Sequence, residues 1–147
     1  MKVYFGQCYI QVNVQFPFTC HFQRTLSEEV SAVVLPSSRF IKKYGDDYRL
    51  IFNVSAKKAI QENEIKGPTV YRRARDVEFT IFLPFDVIAC QSRIDEAALR
   101  YLLKGVGTVL ELLGMDTLAL MERQEFIIQM ICSNPSMFEV QKWAQAH

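Results

Sequence analysis

"YRRARDVEFTIFLPF", residues 71–85, decides how this chain is read. From Asp76 onward the residues alternate. Val77, Phe79, Ile81 and Leu83 fall on one side, and Asp76, Glu78, Thr80 and Phe82 on the other. A period of two is a strand with one face turned to a core. The alternation runs back through Arg75 and Arg73 on the first side, and through Ala74 and Arg72 on the second. The stretch therefore predicts one long strand, stopped by Pro84, whose charged end projects beyond the core.

Other strands stand before it. "QCYIQVNVQF", 7–16, puts Cys8, Ile10, Val12, Val14 and Phe16 on one face and amides with Tyr9 on the other, which suits hydrogen bonding with a partner. "TCHFQRTLSEEVSAVVL", 19–35, reads as one or two strands around a polar bend near Ser27-Glu28-Glu29. "SSRFIKKYG", 37–45, is a short helix that Ser37 or Ser38 caps and Gly45 closes in the left-handed conformation. After a turn at Gly45-Asp46-Asp47, "YRLIFNV", 48–54, has strong β propensity. "SAKKAIQENEIKG", 55–67, has helix formers but too few apolar residues for deep burial, and Lys66-Gly67-Pro68 is a break.

From residue 92 the period changes. Ser92 and Asp95 resemble a capping box. Leu99, Leu102, Leu103, Val106, Leu110 and Leu113 form a helical stripe opposite Arg100, Lys104, Thr108 and Glu111. Gly105 and Gly107 inside it suggest close packing, and Gly114 fits the position after its end. Asp116 can cap a second helix to about Ile131, with Leu120, Met121, Ile127 and Met130 buried, although "EFIIQMI", 125–131, fits a strand as well. Asn134-Pro135 opens a short last helix with Phe138 and Trp143. Strands for about 90 residues, then helices, imply one α+β domain over 1–147: an antiparallel sheet packed on one face by C-terminal helices.

The 147 residues are half hydrophobic and 22% charged, too apolar for a disordered chain. A net charge of +1 argues against nucleic acid or an anionic membrane as the main partner. No run of 18 apolar residues and no cleavable leader are read, so the expectation is a cytoplasmic protein. Cys8, Cys20, Cys90 and Cys132 are widely spaced and expected as free thiols.

Catalytic chemistry is hard to build from these residues. His21 beside Cys20 lacks the ligand spacing of a zinc site, and nothing pairs it with a nucleophilic cysteine. The G-x-G of "KGVGTVLELLG" lies inside a helical stripe rather than after a strand. Neither a metal nor a cofactor is expected. Asp76 and Glu78 share a strand face, where paired carboxylates can do acid–base work or hold Mg²⁺, but Arg72 and Arg75 stand near enough to neutralise them. Tyr71 with Arg72, Arg73 and Arg75 could stack on RNA bases, against which the near-neutral charge weighs. A rigid protein whose work is done by a surface needs electrostatic complementarity and no nucleophile.

The sheet-forming "KVYFGQCYIQVNVQF" and "DVEFTIFLPF", together with the helical "AALRYLLKGVGTVLELLG", give a chain that resembles small immunity proteins of bacterial polymorphic-toxin and contact-dependent growth-inhibition systems. The resemblance is one of class and carries no site motif. It implies tight binding of a cognate toxin domain, commonly a nuclease. The residues expected at that contact are Arg72, Arg73, Arg75, Asp76 and Glu78. Two other classes compete: a small metal-dependent hydrolase or nucleotide-acting enzyme using Asp76 and Glu78, and a chaperone-like or secretion adaptor that forms a homodimer through its helices.

Overall fold

The computed structural model describes residues 11–15, 22–45, 47–57, 64–84 and 96–133. Among them the chain runs β1 (Gln11–Gln15), α1 (Phe22–Val33), α2 (Ser38–Tyr44), β2 (Arg49–Lys57), β3 (Glu64–Tyr71), β4 (Asp76–Pro84), α3 (Glu96–Leu112) and α4 (Leu118–Cys132). The architecture is α+β. Inward side chains of the strands (Val12 and Val14, Leu50, Phe52 and Val54, Val77, Phe79, Ile81 and Leu83) form one core cluster with the buried side chains of all four helices. Burying apolar surface on one side of a sheet is the main driving force such a layer has. No described helix is long and apolar enough to cross a membrane.

The sheet is mixed rather than antiparallel. Its order is β1-β2-β4-β3; β1 pairs parallel to β2, β2 pairs parallel to β4, and β3 pairs antiparallel to β4. The correction begins at residues 19–35. The part of that stretch within the described residues is a helix, not strands: Phe22, Leu26 and Val30 recur every fourth residue and are fully buried. Ser27, Glu28 and Glu29 are not a bend but lie between those positions on one continuous helix. A helical crossover between adjacent strands makes them parallel, as β1 and β2 are. β2 and β4 are parallel for another reason. The chain reverses before β3 and again before β4, which inserts between its two predecessors. The described part of the first 90 residues thus holds two helices as well as the sheet.

Both sheet edges are protected against further pairing. On β1, the Val14 N–H donates to Ser27 Oγ at 2.9 Å and the Val12 N–H to Ser31 Oγ at 3.5 Å, so α1 covers that edge. On β3, Lys66-Gly67-Pro68 is not a break between elements but a bulge within the strand. Lys66 pairs with Thr80 and Thr69 with Glu78, leaving Gly67 and Pro68 opposite Phe79 alone. Gly67 has φ +128°, and a Cβ there would stand 2.7 Å from the Glu78 carbonyl oxygen, so only glycine fits.

The helices follow their stripes. On α3, Leu99, Leu102, Leu103, Val106 and Leu110 are buried, while Lys104, Thr108 and Glu111 are exposed. Its end is a Schellman turn: Gly114 has φ +77°, its N–H reaches the Glu111 carbonyl, and the Met115 N–H reaches that of Leu110. Gly107 does not mark close packing, since an added Cβ would meet nothing within 4 Å. Residues 125–131 are helical. On α4, Leu120, Ile127, Ile128 and Ile131 are buried, whereas Met121 is exposed, contrary to expectation. Asp116 accepts from the Leu118 N–H at 2.9 Å as α4 starts. Ser37 caps α2 by accepting from the Phe40 N–H at 3.1 Å, and its hydroxyl also donates to the Leu113 carbonyl at 2.9 Å. Gly45 ends α2 with positive φ but extended ψ, not in the left-handed helical region. The expected cap at Ser92–Asp95, the helix after Asn134, both histidines, and Cys8, Cys20 and Cys90 lie outside the described residues.

Candidate partner-binding face

The stretch that opened the sequence reading is two elements, not one strand. Tyr71 closes β3, residues 72–75 turn, and β4 starts at Asp76, which pairs with Tyr71. Arg73 and Arg75 therefore belong to a hairpin loop, and their apparent alternation with Val77 is not a shared face. Arg75 has φ +58°. That left-handed value lets a four-residue loop close. Two contacts brace it to β2 and the bend before it: the Arg75 carbonyl accepts the Arg49 N–H at 2.7 Å, and the Arg75 guanidinium pairs with Asp47.

Behind the hairpin lies the sheet face opposite the core cluster. Register places Arg49 beside Asp76, Ile51 beside Glu78, and Asn53 beside Thr80 across β2 and β4. Asn13 and Gln15 of β1 continue the rows through Ile51 and Asn53. On β3, Thr69 and Tyr71 extend them from Glu78 and Asp76. None of the described helices contributes a buried side chain to this face.

Its polar groups are largely satisfied internally. Arg49 grips Asp76 with two bonds, Nε to Oδ1 at 2.8 Å and Nη2 to Oδ2 at 3.0 Å. Asp76 is only 6% exposed, and a buried carboxylate needs such a partner. Asn53 Nδ2 donates to Glu78 Oε1 at 2.9 Å. Neither carboxylate is neutralised as the sequence suggested, by Arg72 or Arg75. Their partners come from β2.

What remains is at the tip. Arg72 and Arg73 are exposed and have no ion-pair partner among the described residues, and Tyr71 beside them is half exposed. Of the residues expected at a contact, Arg72, Arg73 and Arg75 share the loop. Asp76 and Glu78 stand behind it on the sheet, one buried and one half-buried. The reading missed Arg49, Asn53 and Asp47, because their roles arise from strand register and chain reversal. The outward positions of "YRLIFNV" were the available signal.

Asp76 uses both oxygens on Arg49, so acid–base work there would first have to break a bidentate pair. Among the described residues no group of three or more His, Cys, Asp or Glu side chains is placed to hold a metal ion. Cys132 is half-buried and forms no disulfide among the described residues.

Far from this face, Arg100 on α3 binds Glu125 on α4 and Glu96 on its own helix. The hydrogen bond from Arg100 holds the Glu125 carboxyl below its ordinary range, and the bonds to Glu125 and then Glu96 hold the guanidinium proton more tightly. Arg123 pairs with Glu29 at 3.1 Å, tying α4 to α1.

The chain matches no protein-family model, no curated protein and no solved structure.

Proposed function

We propose that this chain is a cytoplasmic immunity protein that binds and neutralises a cognate bacterial toxin domain by protein–protein contact. The observation that carries the reading is the braced hairpin, which holds Arg72 and Arg73 exposed and without an ion-pair partner among the described residues, while Arg49 and Arg75 behind them are taken by Asp76 and Asp47. Fixed, unneutralised arginines beside a tyrosine are the residue types on which binding energy concentrates at interfaces. The bidentate Arg49–Asp76 pair and the Asn53–Glu78 bond hold the stem rigid, which lowers the entropy lost on docking. Asp76 and Glu78 act here as supports of the contact, and Arg72 and Arg73 as its leading groups.

The test is to read the genes flanking this chain and to co-express it with a toxin-like domain found there; flanking genes that encode no such domain remove the reading. The expected result is restored growth and a stoichiometric complex on gel filtration. Growth that stays arrested, with no complex, removes the reading.

A homodimer through the helices is favoured by one observation. Leu118, Met121 and Phe126 on α4 are each at least half exposed. Apolar side chains clustered on one helix mark contact surfaces more often than scattered ones do. Sedimentation equilibrium across a hundredfold concentration range decides it: a Met121→Lys-sensitive dimer supports the adaptor class, and a monomer throughout rejects it.

A further inference from the structure

We infer that the Tyr71–Arg75 hairpin is built to enter a carboxylate-lined groove on an acidic protein. The inference rests on the reading of the chain as a binding protein and specifies the chemistry of its partner.

Charge around the hairpin is unevenly used. Arg49 is taken by Asp76, and Arg75 by Asp47. Arg72 and Arg73 are left over at the tip, and Lys66, exposed on the same strand as Tyr71, is left over along the edge. The unpaired groups at the tip and along the exposed edge are cations, while half-buried Glu78 behind them is met by the neutral Asn53 amide. A guanidinium presents a planar fork of donors that fits a carboxylate with two parallel bonds, and it sheds water more readily than an ammonium. Two adjacent arginines on a braced loop therefore suit two carboxylates on a facing surface.

The same surroundings disfavour a nucleic acid. Asp47 and Asp76 already take Arg75 and Arg49, so of the four arginines near the tip only Arg72 and Arg73 are left to meet a phosphate backbone. Neutralising only two phosphates gives a salt dependence of slope about −1.8, against the six to ten contacts of dedicated binders. A groove on a protein with carboxylates at two places matches two guanidinium forks and needs no longer run of cations. Metal-dependent phosphodiester-cleaving enzymes line their clefts with carboxylates that hold divalent ions. A two-arginine finger would occupy such a cleft in the place of those ions.

The experiment measures fluorescence anisotropy of a labelled deca-glutamate peptide and, separately, a labelled 20-nucleotide single-stranded RNA at low salt. The proteins are the wild type, R72E/R73E and R72K/R73K. Wild type should bind the peptide, R72E/R73E should lose about tenfold or more in affinity, and R72K/R73K, which keeps charge but not the fork, should lose a smaller factor. Thermal midpoints should match across the three. Peptide affinity unchanged in R72E/R73E overturns the inference, as does RNA that binds more tightly than the peptide and is lost on the same reversal. The growth assay separates the two readings. If R72E/R73E still protects cells, the hairpin inference falls and the immunity reading stands. If the wild type fails to protect, the immunity reading falls however the peptide behaves.

Discussion

At Ser27 a side-chain hydroxyl takes the place of a missing strand. It accepts the Val14 N–H at 2.9 Å on the outer edge of β1, and Ser31 does the same for Val12 one helical turn later. Replacing Ser27 by Ala leaves that N–H without a partner, and an unsatisfied donor of this kind costs about 1–3 kcal/mol. Chemical denaturation of Ser27→Ala should show a loss in this range, and no loss would mean that water replaces the hydroxyl freely. Two glycines give opposite predictions. Gly107 sits within α3 with open space where a Cβ would go, so Gly107→Ala should stabilise by about 1 kcal/mol through helix propensity. Gly114 has φ +77°, and a Cβ there would lie 2.9 Å from Nη2 of Arg39, which donates to the Leu112 carbonyl. Gly114→Ala should therefore destabilise by at least the roughly 1–2 kcal/mol that a left-handed alanine costs. The sequence suggested a glycine signal at both places, but only the surroundings of each separate a cap from an open helix surface.

Among the elements, those with a strict period were legible and those with mixed signals were not. β4 and α3 follow one apolar spacing each: Val77, Phe79, Ile81 and Leu83 are buried, as are Leu99, Leu102, Leu103, Val106 and Leu110, with Leu113 only partly so, while β2 was legible from β propensity. α1 was missed because Val30, Val33 and Val34 carry β propensity and Ser27-Glu28-Glu29 has the composition of a turn. Only the four-residue recurrence of Phe22, Leu26 and Val30 pointed the other way. The 72–75 turn was missed because it contains no glycine, asparagine or proline, and an arginine fills its left-handed position. α3 carries the most burial, so Leu103→Ala should cost about 2–5 kcal/mol while leaving partner affinity intact where the protein stays folded. The α3–α4 contact has a pH signature. Since Arg100 depresses the Glu125 carboxyl in the folded state, its stabilisation is complete above the unfolded carboxylate value of about 4.3 and is lost as pH falls through the lower folded value. Thermal midpoints from pH 6 to pH 2 should therefore converge for wild type and Glu125→Gln at the acid end. A gap that stays constant would show that the pair contributes nothing through charge.

For the molecule as a whole, the division of labour follows the two faces of one sheet. The four described helices bury side chains against one side, and the hydrogen-bonded polar groups of the other lead to the hairpin. The α+β class and the charged character of residues 71–78 were legible in sequence. The mixed strand order and the Arg49–Asp76 and Asn53–Glu78 partners were not, because they depend on which strands become neighbours after the chain has crossed and reversed. Surface charge changes away from packed or paired groups usually alter stability by no more than about 0.5 kcal/mol, so recognition by the hairpin can be separated from folding. The most direct test is the equilibrium affinity of R72E/R73E for the toxin domain that growth-protecting co-expression identifies as the partner, with the thermal midpoint measured on the same samples. The account predicts a loss of about 2 kcal/mol or more in binding free energy at an unchanged midpoint. Wild-type affinity in the reversed protein would contradict it.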